Sequence, residues 1–201
     1  YDPNVFIVDG HVAVIYSLEQ GGVIYKRSRD AIPSISWDGH TIITAKMFPS
    51  KVITHDGRIA FLTKHKNGAE VYITVIHALV DSPVSSADWG FTGVLAEVEG
   101  PTNSRNPRLA SVAGRLAFCT TKDDILYFHQ SSTTWPVFPD PWTTISWPMD
   151  TFLELIPDTA EIAGRPNIVF TNGQFGIQLL RATTPYPASI ADFETYAVDA
   201  G

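Results

Sequence analysis

A pattern that recurs along one chain constrains its fold more than composition does, because each copy must build the same small unit and cover its apolar surface with the next. Four segments line up here. They begin PNVFIVDGHVAVIYS at Pro3, SKVITHDGRIAFLTK at Ser50, PRLASVAGRLAFCTT at Pro107 and PNIVFTNGQFGIQLL at Pro166. Their turn glycines, Gly10, Gly57, Gly114 and Gly173, stand 47, 57 and 59 residues apart. Each unit opens with a short apolar strand and turns at a pair such as Asp9-Gly10 or Asn172-Gly173. Both residues of such a tight hairpin turn need positive φ, which Gly, Asn and Asp tolerate best. Second turns at Gln20-Gly21-Gly22, Asn67-Gly68 and Lys122-Asp123-Asp124 return the chain into VIYKRS, VYITVIH and ILYFHQS. Stretches around Trp37, Trp89 and Trp135 then close the units, with a fourth strand in segments such as HTIITAK and FTGVLAEV.

A four-stranded meander repeating about every fifty residues predicts an all-β fold, a β-propeller whose blades cover one another's faces. The whole chain, residues 1–201, reads as one domain with repeats at about 3–49, 50–106, 107–165 and 166–201. The expected inner strands lie near Val5–Val8, Val52–Thr54, Leu109–Val112 and Ile168–Phe170. The fourth repeat reads as shortened, since only Gln-Phe-Gly separates Gly173 from the strand IQLLRAT. A blade short of a strand exposes unpaired backbone groups, which predicts completion by another chain in a homo-oligomer or larger assembly.

Charge and composition narrow the partners. The formal net charge is −7 with basic residues scattered, so nucleic acid is not an expected ligand. The apolar runs, such as Val12 to Tyr16, are far too short for a membrane helix, so insertion is not expected. Cys119 is the single cysteine and reads as a buried structural thiol. Six histidines show no spacing that builds a metal site; His11 and His55 flank hairpin turns and are expected to be exposed. Asp9 and Asp56 read as turn residues because Ala113 and Asn172 replace them in the other units. No cofactor is expected.

The third unit, through Ser131-Ser132-Thr133-Thr134-Trp135, resembles the repeat of sialidase-like (BNR) propellers, whose Asp-box ends in Thr-Trp; the Asp and Gly of that box are missing here. This resemblance implies a fold and not sialidase chemistry. The start, YDPNVFIVDGHVAVIYS, is similar to the first blade of five-bladed furanosidases and arabinanases. That resemblance implies Asp2 as general base or nucleophile and Glu99, in Glu99-Gly100-Pro101, as acid, the carboxylate pair that glycoside hydrolysis requires. Pro49-Ser50-Lys51 stands where the family carries a third carboxylate.

The sharpest shift in composition is PVFPDPWTTISWP, residues 136–148, with four prolines and two tryptophans. Trp rings offer flat apolar area to sugar faces or protein surfaces, which makes Trp142 and Trp147 the expected ligand-binding residues, with Asp140, Thr143 and Thr144 as hydrogen-bonding neighbours. With no complete catalytic constellation readable, the expected function is a non-enzymatic attachment module. It would sit on an extracellular or virion surface and bind a glycan or a protein partner. The alternative is a glycoside hydrolase using Asp2 and Glu99.

Overall fold

The computed structural model describes residues 3–19, 21–30, 36–43, 47–67, 70–92, 96–98, 107–122, 125–136, 142–148, 157–172 and 176–198. Their strands form four antiparallel sheets that succeed one another along the chain. Blade 1 holds β1 (Asn4–Val8), β2 (His11–Ser17), β3 (Val23–Ser28) and β4 (Trp37–Ile43). Blade 2 holds β5 (Met47–Pro49), β6 (Ile53–His55), β7 (Arg58–Asn67), β8 (Glu70–Ala78), β9 (Trp89–Phe91) and β10 (Ala96–Val98). Blade 3 holds β11 (Ala110–Val112), β12 (Arg115–Lys122), β13 (Ile125–Ser131) and β14 (Trp142–Pro148). Blade 4 holds β15 (Asp158–Ile162), β16 (Arg165–Asn172), β17 (Gly176–Ala182) and β18 (Phe193–Ala197). Each sheet is a meander in sequence order, as expected for a β-propeller. Among the described residues no helix is long and apolar enough to cross a membrane.

Blade 2 keeps the four-strand plan with both edges broken. β5 and β6 pair with successive parts of β7, and β9 and β10 with successive parts of β8. Hydroxyl side chains bridge the breaks. Leu62 N–H donates to Ser50 Oγ (3.1 Å) while Ser50 N–H donates to the Leu62 carbonyl (2.7 Å). Thr92 repeats the device on Val75, whose N–H donates to Thr92 Oγ1 (3.1 Å). The ladder stays satisfied although the strand does not continue.

Period-two alternation sends successive residues to opposite faces, and the middle blades are apolar on both. In β7, Ile59 and Phe61 pack with Ile15 and Tyr25 of blade 1, whereas Ala60 and Leu62 pack with Leu116 and Phe118 of blade 3. In β12, Ala117 and Cys119 join Ile168, Phe170 and Leu180 of blade 4. The core is therefore three interblade layers. At the two ends of the series one apolar face stays uncovered. Val5 and Ile7 on β1 are 67% and 61% exposed, and Ile162, Val169, Tyr196 and Val198 on or beside the last sheet are 42–60% exposed.

Two expectations about the fourth repeat are corrected. Its first turn is Ala163-Gly164, not Asn172-Gly173, so Ile168–Phe170 lies in the second strand and β15 is the first. The motif Ala160-Glu161-Ile162-Ala163-Gly164-Arg165 thereby matches Ala110-Ser111-Val112-Ala113-Gly114-Arg115. The sheet spans Asp158–Ala197 with four strands and lacks none. Ala113 and Ala163 hold φ of +50° and +53°, close to the +48° and +43° of Asp9 and Asp56, so the backbone geometry recurs where the residue type does not.

Candidate functional site

First strands touch first strands (β6 with β11, β11 with β15), which places them nearest the common axis. Polar contacts sew this inner layer together from blade to blade. Val52 N–H donates to Asn4 Oδ1 at 3.3 Å, and His55 Nδ1 meets Ser111 Oγ at 2.8 Å. Ala113 N–H donates to Glu161 Oε2 at 2.6 Å, and Arg108 pairs with Asp158 at 2.9 Å. The inner-strand carboxylates Asp158 and Glu161 are thus committed to blade contacts. Asp2 and Glu99 lie outside the described residues; in sequence Asp2 stands two positions ahead of β1, and Glu99 follows β10 on the connection toward β11.

A second set of contacts runs from the loop before the fourth strand of one blade to the first turn of the blade before it. Trp135 of blade 3 packs on His55 (4.7 Å between centroids) and His77 (5.2 Å) of blade 2, with the Arg58 guanidinium 5.6 Å from its ring centre. His55 Nε2–H donates to the Thr134 carbonyl (2.9 Å) and His77 Nε2–H to the Pro136 carbonyl (3.1 Å), so the residues on either side of Trp135 are pinned. His55 is only 1% exposed, which corrects the expectation of an exposed turn residue; His11 is half-buried with Nδ1 3.0 Å from the Ser28 carbonyl. Burial holds both His55 and His77 below the ordinary imidazole pKa, leaving them neutral near pH 7. Blade 4 repeats the arrangement on blade 3: Arg115 lies over the Tyr186 ring, and the Tyr186 hydroxyl donates to the Ala113 carbonyl at 2.9 Å. Arg58 and Arg115 each directly follow the turn glycine.

Sequence reasoning missed the element that shapes the loops before the outer strands of blades 2 and 4. Pro83-Val84-Ser85-Ser86-Ala87-Asp88-Trp89 and Pro187-Ala188-Ser189-Ile190-Ala191-Asp192-Phe193 share Pro-x-Ser-x-Ala-Asp followed by an aromatic residue. In both, the Asp carboxylate accepts two backbone N–H groups, from Val84 and Ser85 or from Ala188 and Ser189, at 2.8–2.9 Å. Those bonds hold Asp88 and Asp192 below the usual carboxylate pKa. The repeat is visible in the sequence once the two segments are aligned on the Asp.

The aromatic ligand-binding candidates sit in blade interfaces. Trp147, 7% exposed, meets Phe193 edge-on at 4.9 Å between blades 3 and 4. Trp142 is half-buried and meets Phe118 at 5.6 Å between blades 2 and 3. Thr143 is half-buried and pairs across the sheet with Gln130; Thr144 is exposed, its hydroxyl 3.1 Å from His129 Nδ1. Asp140 lies outside the described residues. Most of both rings is therefore spent on packing, because β14 turns one residue toward each neighbouring blade. His129 itself is stacked on Phe118 at 4.6 Å, bonded through Nε2 to Thr120 Oγ1 at 3.0 Å, and pushed by burial to a pKa of about 4. Cys119 is buried, accepts a hydrogen bond from Thr159 Oγ1 and is pushed up to about 12, which suits a structural thiol. Among the described residues no cluster of three or more His, Cys, Asp or Glu side chains could hold a metal ion.

No protein-family model and no curated protein matches the sequence. Solved structures do match in shape. An α-L-arabinofuranosidase from Lactobacillus brevis superposes with a TM-score of 0.54 at 10% identity, over 98% of this chain and 72% of that one. An engineered glycoside hydrolase with endo-xylanase and exo-arabinofuranosidase activity gives 0.44 at 11% identity, over 98% of this chain and 40% of its own. At such identity the first likeness is one of fold. The arabinofuranosidase falls on the furanosidase side of the two resemblances; the sialidase resemblance is not shown.

Proposed function

We propose that the chain is a carbohydrate-acting propeller of the furanosidase or arabinanase type, with Asp2 as general base or nucleophile and Glu99 as acid. The observation that carries this reading is topological. The first strand of blade 3 touches those of blades 2 and 4, and Asn4 of β1 bonds Val52 beside β6; in sequence Asp2 stands two positions ahead of β1 and Glu99 on the connection between β10 and β11. The fold likeness to an arabinofuranosidase supports it. One carboxyl group protonates the leaving oxygen while the other attacks the sugar carbon or activates water, which requires the pair to lie roughly 5–9.5 Å apart. Incubation with an aryl α-L-arabinofuranoside and with arabinan oligosaccharides tests it. The expected result is arabinose release that falls about a hundredfold or more in Asp2→Asn and in Glu99→Gln. No release by the native chain, or full activity in Asp2→Asn, would overturn it.

A second reading is a non-catalytic attachment module on an extracellular or virion surface, binding a glycan or a protein. It draws on the engagement of Asp158 and Glu161 in blade contacts, which leaves the described part of the inner layer without a facing carboxylate pair. Saturable glycan binding without hydrolysis would select it. Under either reading the uncovered apolar faces of blades 1 and 4 favour a homo-oligomer.

A further inference from the structure

A cleft of about 210 Å³ opens between the outer strands of blade 1 and the loop that precedes β9 in blade 2. Strand register builds its blade 1 wall, because Tyr25 lies opposite His40 and Arg27 opposite Asp38, so all four side chains share the face turned toward blade 2. Nearer the axis the same face is apolar and sealed by Phe61 and Trp89. Farther out it turns polar, and Pro83 and Val84 form the opposite wall.

The Tyr25 hydroxyl is the informative atom. The residue is 1% exposed and lines the cleft, yet its hydroxyl is buried and has no hydrogen-bond partner among the described residues. Native proteins rarely leave such a group unsatisfied, and the cost of doing so is recovered when a ligand supplies the partner. Its neighbours complete a donor and acceptor set. Trp89 Nε1–H donates to His40 Nε2 at 2.8 Å, which places the proton of the neutral imidazole on Nδ1. Arg29 and Asp38 pair through Nε and Oδ1 at 2.8 Å, and among the described residues the other guanidinium nitrogens and the second carboxylate oxygen make no bond.

Charge decides the class of ligand. Arg29 is balanced by Asp38, Arg27 reaches Asp9 at 3.4 Å and bonds Ser82, and Asp88 faces His40, so no uncompensated cation calls for an anion. An apolar ligand would strip water from a charged pair without replacing it. A neutral polyol satisfies both conditions: vicinal hydroxyls bridge a guanidinium and a carboxylate, and a C–H face rests on Pro83 and Val84. The volume lies below the roughly 300–1,000 Å³ of sites for drug-sized ligands, which suits one sugar ring. We infer that this cleft is a binding site for a single neutral sugar residue, separate from the inner-layer carboxylates and independent of any hydrolysis there.

Titration of ¹⁵N-labelled protein with D-xylose, L-arabinose, D-glucose and, as an anionic arm, D-glucuronate tests the inference. At least one neutral sugar is expected to give saturable shifts at the amides of Ser28, Gly39 and Val84, with a dissociation constant of about 1–10 mM. Tyr25→Phe, which keeps the ring in place, is expected to weaken binding about tenfold, and Asp38→Asn, at the exposed rim, to weaken it as well. Arabinoside hydrolysis, where present, should be unchanged in Tyr25→Phe, so failure of this site and failure of the catalytic reading are told apart. No saturation with any neutral sugar, binding of glucuronate alone, or unaltered affinity in Tyr25→Phe would overturn it.

Discussion

The guanidinium carbon of Arg115 lies 3.8 Å from the centre of the Tyr186 ring, joining the turn of blade 3 to a loop of blade 4. The Tyr186 hydroxyl bonds the carbonyl of Ala113 in the same turn. Removing both contacts in Tyr186→Ala is expected to cost about 1–2 kcal/mol in urea denaturation. A double-mutant cycle with Arg115→Ala should return a coupling of about 0.5–1 kcal/mol. Additive single effects would mean that the ring and the guanidinium do not act as a pair.

Trp147 fills the layer between blades 3 and 4, where Phe193 meets it edge-on. Trp147→Ala should therefore destabilise the domain by about 3–5 kcal/mol. Trp142→Ala should cost less, because that ring is only half-buried. A stability loss below about 1 kcal/mol for Trp147→Ala would place the ring outside the core, since substitutions away from such features usually stay within about 0.5 kcal/mol.

Ala163 occupies a left-handed turn position at φ +53° that Asp9 and Asp56 fill elsewhere. An alanine Cβ in that region costs roughly 1–2 kcal/mol, and Asn tolerates the conformation better. Ala163→Asn is expected to raise the thermal midpoint by about 2–4 °C, which corresponds to about 1 kcal/mol for a chain of this size. A lower midpoint would show that the side chain at 163 has another task.

Acid should weaken the fold through His129. Its folded pKa is near 4 because burial disfavours the imidazolium, and an unfolded imidazole titrates near 6.5. Between those values the unfolded chain binds the extra proton, so the stability present above pH 6.5 is lost at up to about 1.4 kcal/mol per unit as pH falls toward 4. His40, His55 and His77, also lowered by burial, act in the same direction. Urea midpoints from pH 7.5 to 4.5 check this; a flat profile would contradict the burial of these rings.

Sedimentation velocity addresses the uncovered end faces. Val169, on the outer face of blade 4, and Ile7, on that of blade 1, are 42% and 61% exposed. Concentration-dependent association is expected, and Val169→Lys or Ile7→Lys should shift it toward monomer because a charge opposes burial of the face. A native chain that stays monomeric at high concentration would refute self-association.

The first two repeats were legible because their Asp-Gly turns suit positive φ, and the third because Gly114 and its flanking apolar strands line up with them. The fourth was misread for a physical reason. Asn172-Gly173 is a better left-handed turn by residue type than Ala163-Gly164, and only pairing of β15 with β16 identifies the latter as the first turn. The burial of His55 was illegible for a different reason: Trp135 covers it from a segment 80 positions away. The aromatic run at 142–147 announced large rings without saying which face each occupies. Trp142 and Trp147 stand an odd number of positions apart on β14, so they point to opposite sides and serve two different interfaces.

The direction of the clasps has a consequence for biosynthesis. In each, an aromatic residue of the later blade closes on a turn of the earlier one: Trp135 on the turn before Arg58, Tyr186 on the turn before Arg115. A blade leaving the ribosome can therefore complete its own hydrogen bonds, but it is fastened only after the next has been translated. A pause within one blade therefore leaves the fastening contacts of its predecessor unmade and the face that the next blade covers open to water.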